Sequence, residues 1–461
     1  MQKVAFVEPR CNIISQTGNM PSIRNLPMLG PLMLGTIIKK EGYDVEFIKE
    51  GVFKEYDYSE KDCDYLCLYS MTKTFPRAVK IAQEYKKTHP NGKVIFGGPH
   101  VSLMPEEALG LKFNGKYLID YVVAGEGENV IIDVIHGKYK KRLVRGSPVE
   151  NLDTLPSIDF SLLKNLPKKN IWFPISTSRG CPFRCKFCSV TKMFGTQFRF
   201  RSPGLVVKDI QDAEKHYKFK KIFFCDDNLF ASPKQGKELL REMINYGINK
   251  DFFTQTRINV AKDDELLKLL SQVSPRVFLF LGLESIDNKA LELYNKKQTL
   301  DDIKDSVNKI HDYGFKIVGN FVLGSDVDDK NTVKNTCDFC DDAEIDYPSF
   351  SVLTPLPGTD LYQELEKQRR IFTKNWSYYD LAHVVYHPKK MTPHELQERF
   401  IEGFDRLYSF SNKRIYKIIL RDLLSVNCFG AIKTGILTLK SLKDAAKERQ
   451  DYLKYLENIK K

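Results

Sequence analysis

The stretch STSRGCPFRCKFCSV, residues 176–190, carries Cys181, Cys185 and Cys188 in a CxxxCxxC spacing, with Phe187 directly before the last cysteine. Arg184 and Lys186 flank the middle thiol. The residues leading into it, WFPISTSRG (172–180), read as an apolar strand, so the thiols fall in the loop at that strand's carboxyl end. Structural zinc takes four protein ligands, often as two separated CxxC pairs. A 4Fe–4S cluster held by three cysteines leaves one iron open to a small molecule. The spacing alone admits a cluster loop, a zinc loop or a disulfide loop, and the missing fourth ligand weighs against zinc.

Working outward, the strand is the first of six. KKIFFCDDN (220–228), FFTQTRINV (252–260), RVFLFLGLES (276–285), FKIVGNFVLG (315–324) and YPSFSVLTPLPG (347–358) follow. Amphipathic helices lie between them. GKELLREMINYG (236–247) puts Leu239, Leu240, Met243 and Ile244 on one face, and LDDIKDSVNKIHDYG (300–314) does so with Ile303, Val307 and Ile310. Six strand–helix units in a row predict a partial (β/α)6 barrel, related to the eight-unit barrel that places its chemistry at the carboxyl ends of its strands. Those ends carry Asp226 and Asp227, Arg257, Glu284 and Ser285, Gly319 to Gly324, and Thr354 to Thr359. Taken singly, each also suits a cap or a turn; Asp226, for example, can cap the next helix.

In front of the barrel, short apolar runs alternate with helical patterns. KVAFVEP (3–9), YDVEFI (43–48), DYLCLYSMT (64–72), KVIFGGPH (93–100) and YVVAGEGE (121–128) read as strands. LGPLMLGTIIKKEG (29–42) and FPRAVKIAQEYKKTHP (75–90) read as helices. This predicts a doubly wound parallel sheet that binds ligands outside its carboxyl ends, where small residues allow close backbone approach. HGKYKKRLVRGSP (136–148) reads as a basic hairpin leading into a Pro-punctuated linker. The expected α/β organisation is a Rossmann-like domain at 1–140, a linker at 141–168, the barrel at 169–360 and a helical, basic region at 361–461.

CxxxCxxC with an aromatic before the last cysteine, opening a six-unit βα barrel, resembles the radical S-adenosylmethionine (SAM) superfamily. The Rossmann-like domain ahead of it resembles the cobalamin-binding branch acting on tetrapyrroles, hopanoids and lipids. GGPHVSLMPEEAL (97–109) with DYVVAGEGE (120–128) carries that likeness, as do LTPLPGTDLY (353–362) and HVVYHPKKMTPHELQE (383–398). The resemblance covers about residues 1–410. It implies a 4Fe–4S cluster on Cys181, Cys185 and Cys188. It implies SAM contacts from Phe187, Asp226, Asp227, Arg257, Glu284, Ser285 and Gly324. It also implies a cobalamin pocket built from Ser70, Thr72, Gly97, Gly98, Pro99, Gly125 and Glu126. The chain departs from the fuller cobalamin pattern in lacking DxHxxG, so no histidine stands in the usual place of the lower cobalt ligand. His100 reads as a turn residue rather than its replacement.

The activity so implied is reductive SAM cleavage and hydrogen abstraction from an unactivated C–H bond of a lipid or isoprenoid-like molecule. Methylation, C–C bond formation, cyclisation or hydroxylation would follow. A radical SAM enzyme modifying tRNA is disfavoured: Cys11, Cys63 and Cys67 are not spaced as a second cluster set, and the tail reads helical rather than β. A non-catalytic iron–sulfur or cobalamin sensor is disfavoured by the set of strand-end motifs. The expected partners are a hydrophobic small-molecule or lipid substrate and an electron donor such as ferredoxin or flavodoxin.

Without an export signal, ten cysteines in 461 residues favour metal or redox chemistry in a reducing compartment, and a cytoplasmic location is expected. Cys337 and Cys340, three apart on a helical pattern, read as buried small residues rather than ligands of a second cluster. The net charge of +12 is widely spread. From residue 411 onward Lys and Arg interleave with Ile, Leu and Phe. That segment reads as packed helices, or as helices at the inner face of an anionic membrane.

Overall fold

A computed structural model describes residues 1–10, 26–51, 56–164, 172–408 and 448–459. The first sheet comprises β1 (Lys3–Glu8), β2 (Asp44–Lys49), β3 (Tyr65–Tyr69), β4 (Lys93–Gly97), β5 (Tyr121–Gly125) and β6 (Leu143–Gly146). All pairings are parallel, in the order β2-β1-β3-β4-β5-β6. Five consecutive residues of β1 are buried, as helices on both faces require. The helices are α1 (Leu29–Lys40), α2 (Phe75–Thr88), α3 (Pro99–Leu103), α4 (Pro105–Gly110) and α5 (Ile131–Ile135). The chain leaves β1 for β2 on one side and returns to β3 on the other, so a topological switch point opens at the carboxyl ends of β1 and β3.

The basic hairpin expected at 136–148 is not formed. Leu143–Gly146 pairs parallel with β5 as the sixth strand, with Val144 buried. Four residues flanked by Lys140, Lys141 and Arg142 are too short a run to show a periodicity in the sequence.

The second sheet is the open barrel: β7 (Trp172–Ile175), β8 (Lys221–Phe224), β9 (Asp251–Thr256), β10 (Val277–Glu284), β11 (Lys316–Leu323) and β12 (Tyr347–Val352). They lie in sequence order and all run parallel. Alternation divides the strands cleanly. Outward residues such as Phe173, Ile222, Phe252 and Leu279 join the main core beneath α6 (Pro203–Glu214), α7 (Pro233–Asn245), α8 (Asp264–Val273), α9 (Leu300–Asp312) and α10 (Thr332–Asp342). Inward residues Trp172, Phe253, Phe278, Val318 and Tyr347 form a separate cluster that floors the lumen. The helix starts are encoded locally. Thr299 and Asp302 form a reciprocal capping box on α9, and Asp263 caps α8 through the Leu266 amide at 3.0 Å.

Cys337 and Cys340 are fully buried on α10, where Cys337 Sγ donates to the Gly403 carbonyl of α11 (Pro393–Tyr408) at 3.8 Å. They serve packing. Most of the basic tail lies outside the described residues. Its last part, helical over 448–457, docks through Tyr452, whose hydroxyl donates to the Val384 carbonyl at 2.7 Å. Among the described residues no helix is long and apolar enough to cross a membrane.

Candidate active site

A cavity of about 320 Å³ lies where the carboxyl ends of the two sheets face each other. Gly97, Gly98, Pro99 and Gly125 line it from the first sheet; Ser176 and Asp227 line it from the barrel. A side-chain carbon added at Gly97 would find its nearest neighbour 3.8 Å away, so the backbone there is open to a large ligand. Gly98 differs. Its φ of 99° is one that favours glycine, and an added carbon would stand 2.8 Å from the Ser70 carbonyl. Gly98→Ala should cost about 1–3 kcal/mol of stability and move the β4–α3 turn; thermal unfolding of the variant measures it.

Two residues expected in the cobalamin pocket support it from behind. Ser70 is fully buried; its amide donates to the Gly97 carbonyl at 2.9 Å and its carbonyl accepts from the His100 amide at 3.0 Å. Thr72 Oγ1 lies 3.4 Å from His100 Nδ1. His100 is itself fully buried, packed on Phe75 (4.2 Å between ring centres) and Trp376 (5.2 Å), with Nε2 3.5 Å from Glu107. It does not line the cavity, and it stands within α3 rather than in the turn expected for it.

Glu126 borders the cavity, but both its oxygens are occupied. Arg199 pairs with Oε1, Arg179 with Oε2 at 2.6 Å, and the Val149 amide donates to Oε2 at 3.0 Å. Arg179 also pairs with Glu128 at 2.6 Å. Burial alone would raise the Glu126 carboxyl, but Arg199, the Val149 amide and Arg179 together hold it below its ordinary value. Glu126 is therefore a buried tie between the two domains rather than a ligand contact. Arg179 stands two residues before Cys181, so the tie reaches the cysteine loop directly.

That loop is held by its backbone. Cys188 N donates to the Cys185 carbonyl at 3.1 Å, Asn295 Nδ2 to the Arg184 carbonyl at 2.8 Å, and Leu361 N to the Lys186 carbonyl at 3.1 Å. Cys181, Cys185 and Cys188 are all partly exposed. Among the described residues no three His, Cys, Asp or Glu converge to hold one metal ion. Three thiols on one short loop suit a cluster in which each binds a different iron. Burial pushes the Cys181 thiol up, and that of Cys188 up to about 12. Both are protonated at neutral pH until metal displaces the proton.

Around the loop, the residues expected at SAM divide. Arg257 lies beside it: its guanidinium sits 4.1 Å from the Phe183 ring centre and Nη1 donates to Cys185 Sγ at 3.8 Å. Asp227 is open to the cavity though surrounded by protein, and burial, then the charge of Asp226, pushes its carboxyl up to about 7. Asp226 is turned inward. It accepts from the Thr177 amide at 3.1 Å, from Thr177 Oγ1 at 2.9 Å and from Ser178 Oγ, and burial pushes it up to about 6. It ties β8 to the end of β7 instead of facing a ligand. Phe187 packs edge-on against Tyr294, 5.3 Å between ring centres.

Glu284 ends β10 at a φ of 64°, beyond a bulge at Gly282/Glu284, and pairs with the buried Lys296 at 2.7 Å. Asn320 Nδ2 donates to its other oxygen at 3.2 Å. A non-glycine residue held at positive φ stores roughly 1–3 kcal/mol, a cost that clusters at ligand sites. Ser285 accepts from the Asp287 amide at 3.0 Å and so closes the turn that follows. Gly324 is covered by Tyr386 and Leu396, whose atoms an added carbon would meet at 2.5 and 2.6 Å. Its lack of a side chain therefore serves packing rather than the SAM contact expected of it. Sequence reading missed Lys296, Arg179, Arg199, Glu128 and Phe183. Only Arg179 and Phe183 had a signal, their place within or beside the cysteine loop.

Residues 175–340 match the radical SAM superfamily and residues 25–135 the B12 binding domain. The bacteriochlorophyllide d C-12(1)-methyltransferase of Chlorobaculum tepidum is 29% identical over 89% of this chain and 88% of its own. The hopanoid C-3 methylase of Methylococcus capsulatus is 25% identical over 78% and 72%. The cobalamin-dependent S-adenosylmethionine radical enzyme OxsB, solved with aqua-cobalamin and S-adenosylmethionine, shares the fold with a TM-score of 0.68 at 15% identity, over 98% of this chain and 72% of that one.

Proposed function

This chain is a radical SAM enzyme carrying a B12-binding domain, and from that premise we propose that it methylates an unactivated carbon of a hydrophobic substrate. The observation that carries the reading is the cavity walled by the carboxyl ends of both sheets, which puts the front domain's glycine edge opposite the barrel's strand ends and Arg179, two residues before Cys181. When bound, the cluster supplies the electron for reductive SAM cleavage and cobalamin supplies the methyl group.

The chain's own residues do the rest. Cys181, Cys185 and Cys188 hold the cluster. Arg257 offers its planar fork to a carboxylate, and Asp227 offers an open oxygen to an ammonium or hydroxyl. Gly97, Gly98 and Pro99 would present backbone to a bound corrin. Lys296 neutralises Glu284 and fixes its direction at the lumen edge. The aromatic lumen excludes water and suits an apolar body. The two named relatives act on a bacteriochlorophyllide and a hopanoid, both largely hydrophobic, which supports the same substrate class here. The electron comes from a small redox protein of the ferredoxin or flavodoxin kind.

The test is incubation of the cluster-loaded, cobalamin-loaded protein with methyl-deuterated SAM, a reductant and either a bacteriochlorophyllide or a hopanoid. The reading expects 5′-deoxyadenosine and S-adenosylhomocysteine in equal amounts and a product carrying the label. 5′-Deoxyadenosine alone, with no S-adenosylhomocysteine, would reject methyl transfer.

A further inference from the structure

The lumen floor contains one contact that the barrel does not supply. Phe223 and Phe280 stand partly exposed against the buried inner cluster of Trp172, Phe253, Phe278, Val318 and Tyr347, and Leu26 packs there with them. Leu26 belongs to the front domain, three residues ahead of α1. The next two residues, Pro27 and Met28, line the inter-sheet cavity together with Pro174, Ser176 and Asp227 of the barrel. Residues 26–28 are thus a partition, with the cavity on one side and the aromatic lumen on the other.

The partition is tethered from the front domain. The Met28 amide donates at 3.0 Å to Glu8 Oε2, a buried carboxylate at the carboxyl end of β1 that also pairs with Lys49. Among the described residues, the contact Leu26 makes to the lumen cluster is apolar. That contact is non-directional, so any apolar group of similar size can replace it.

We propose that Leu26 is a displaceable plug of the barrel lumen, occupying the space that the apolar body of the substrate takes, and that it thereby sets which substrates fit. The proposal rests on the methyltransferase reading above, because residues 26–28 stand between a substrate carbon in the lumen and a group held in the cavity. Truncating the side chain opens the lumen, and enlarging it closes the lumen. Neither change removes a cluster, SAM or cobalamin contact.

The experiment uses the full chain with its cluster rebuilt and the planar apolar anion 1-anilinonaphthalene-8-sulfonate as the probe, followed by fluorescence. Leu26→Ala should bind it up to about fiftyfold more tightly than the parent, the factor expected for gaining the space of three carbons. Leu26→Trp should bind it more weakly than the parent, and Leu26→Ala/Phe280→Trp should return towards the parent. Equal affinity in all variants, or no binding by any, overturns the plug. The same preparations are scored for 5′-deoxyadenosine. A parent that forms none defeats the functional reading while leaving the probe result to decide the plug by itself.

Discussion

Cys181→Ala, Cys185→Ala and Cys188→Ala, introduced together, are expected to abolish both the iron–sulfur absorbance and all 5′-deoxyadenosine formation while the protein stays folded. On the proposed reading each thiol holds the group that delivers the electron, so no residual pathway to SAM cleavage would survive. The fold should tolerate the change because the loop does not depend on its sulfurs. Its path is held by the Cys188 amide on the Cys185 carbonyl and by Asn295 on the Arg184 carbonyl, neither of which involves a thiol. The three side chains are partly exposed, and no core contact of consequence is lost. Absorbance, iron content and product analysis on one anaerobic preparation read all of this. Retained 5′-deoxyadenosine would remove the cysteine loop from the chemistry altogether.

The second large effect is expected at Glu126. Glu126→Ala leaves Arg199 buried with its charge uncompensated, and breaking a buried pair in this way costs about 3–5 kcal/mol. Urea unfolding, compared with the parent, measures it. The acid side carries an independent check. The Glu126 carboxyl is held below its ordinary value in the folded protein, so its contribution is present above the unfolded value of 4.5 and is lost as pH falls through the lower folded one. Stability of the variant should therefore fall less steeply than the parent's below that pH. Because Arg179 links Glu126 and Glu128 to the start of the cysteine loop, the variant should also take up its cluster less completely at equal protein concentration. An unchanged unfolding midpoint would show that the two domains are joined by other means.

Both domains were readable from periodicity, and the reasons are local. RVFLFLGLES runs apolar because one face of β10 packs under helices and the other lines the lumen. KVAFVEP runs continuously apolar because β1 is covered on both faces. The cysteine spacing needs no tertiary information either. What could not be read was which polar strand-end residues face the ligand. Asp226 and Asp227 are neighbours in sequence, yet Asp226 is consumed by Thr177 and Ser178, 49 and 48 residues away, while Asp227 remains open. Glu126 is spent on partners 53 and 73 residues along the chain, and Ser70 and Thr72 back the pocket instead of lining it. These outcomes are set by pairing between residues far apart in the sequence, within each domain for Asp226, Ser70 and Thr72 and across the junction for Glu126, and composition and spacing carry no trace of them. The LVRG strand escaped for a different reason, since it is too short to show a period beside three basic residues.

The cavity shared by the two sheets is the centre of the account, and its occupancy can be measured directly. The protein is purified without oxygen, its cluster rebuilt, hydroxocobalamin supplied, and bound cobalamin per chain determined after removal of the free form. Close to one equivalent is the predicted result. Close to none, with the cluster intact, would contradict the account and leave the front domain as a scaffold for chemistry carried by SAM alone.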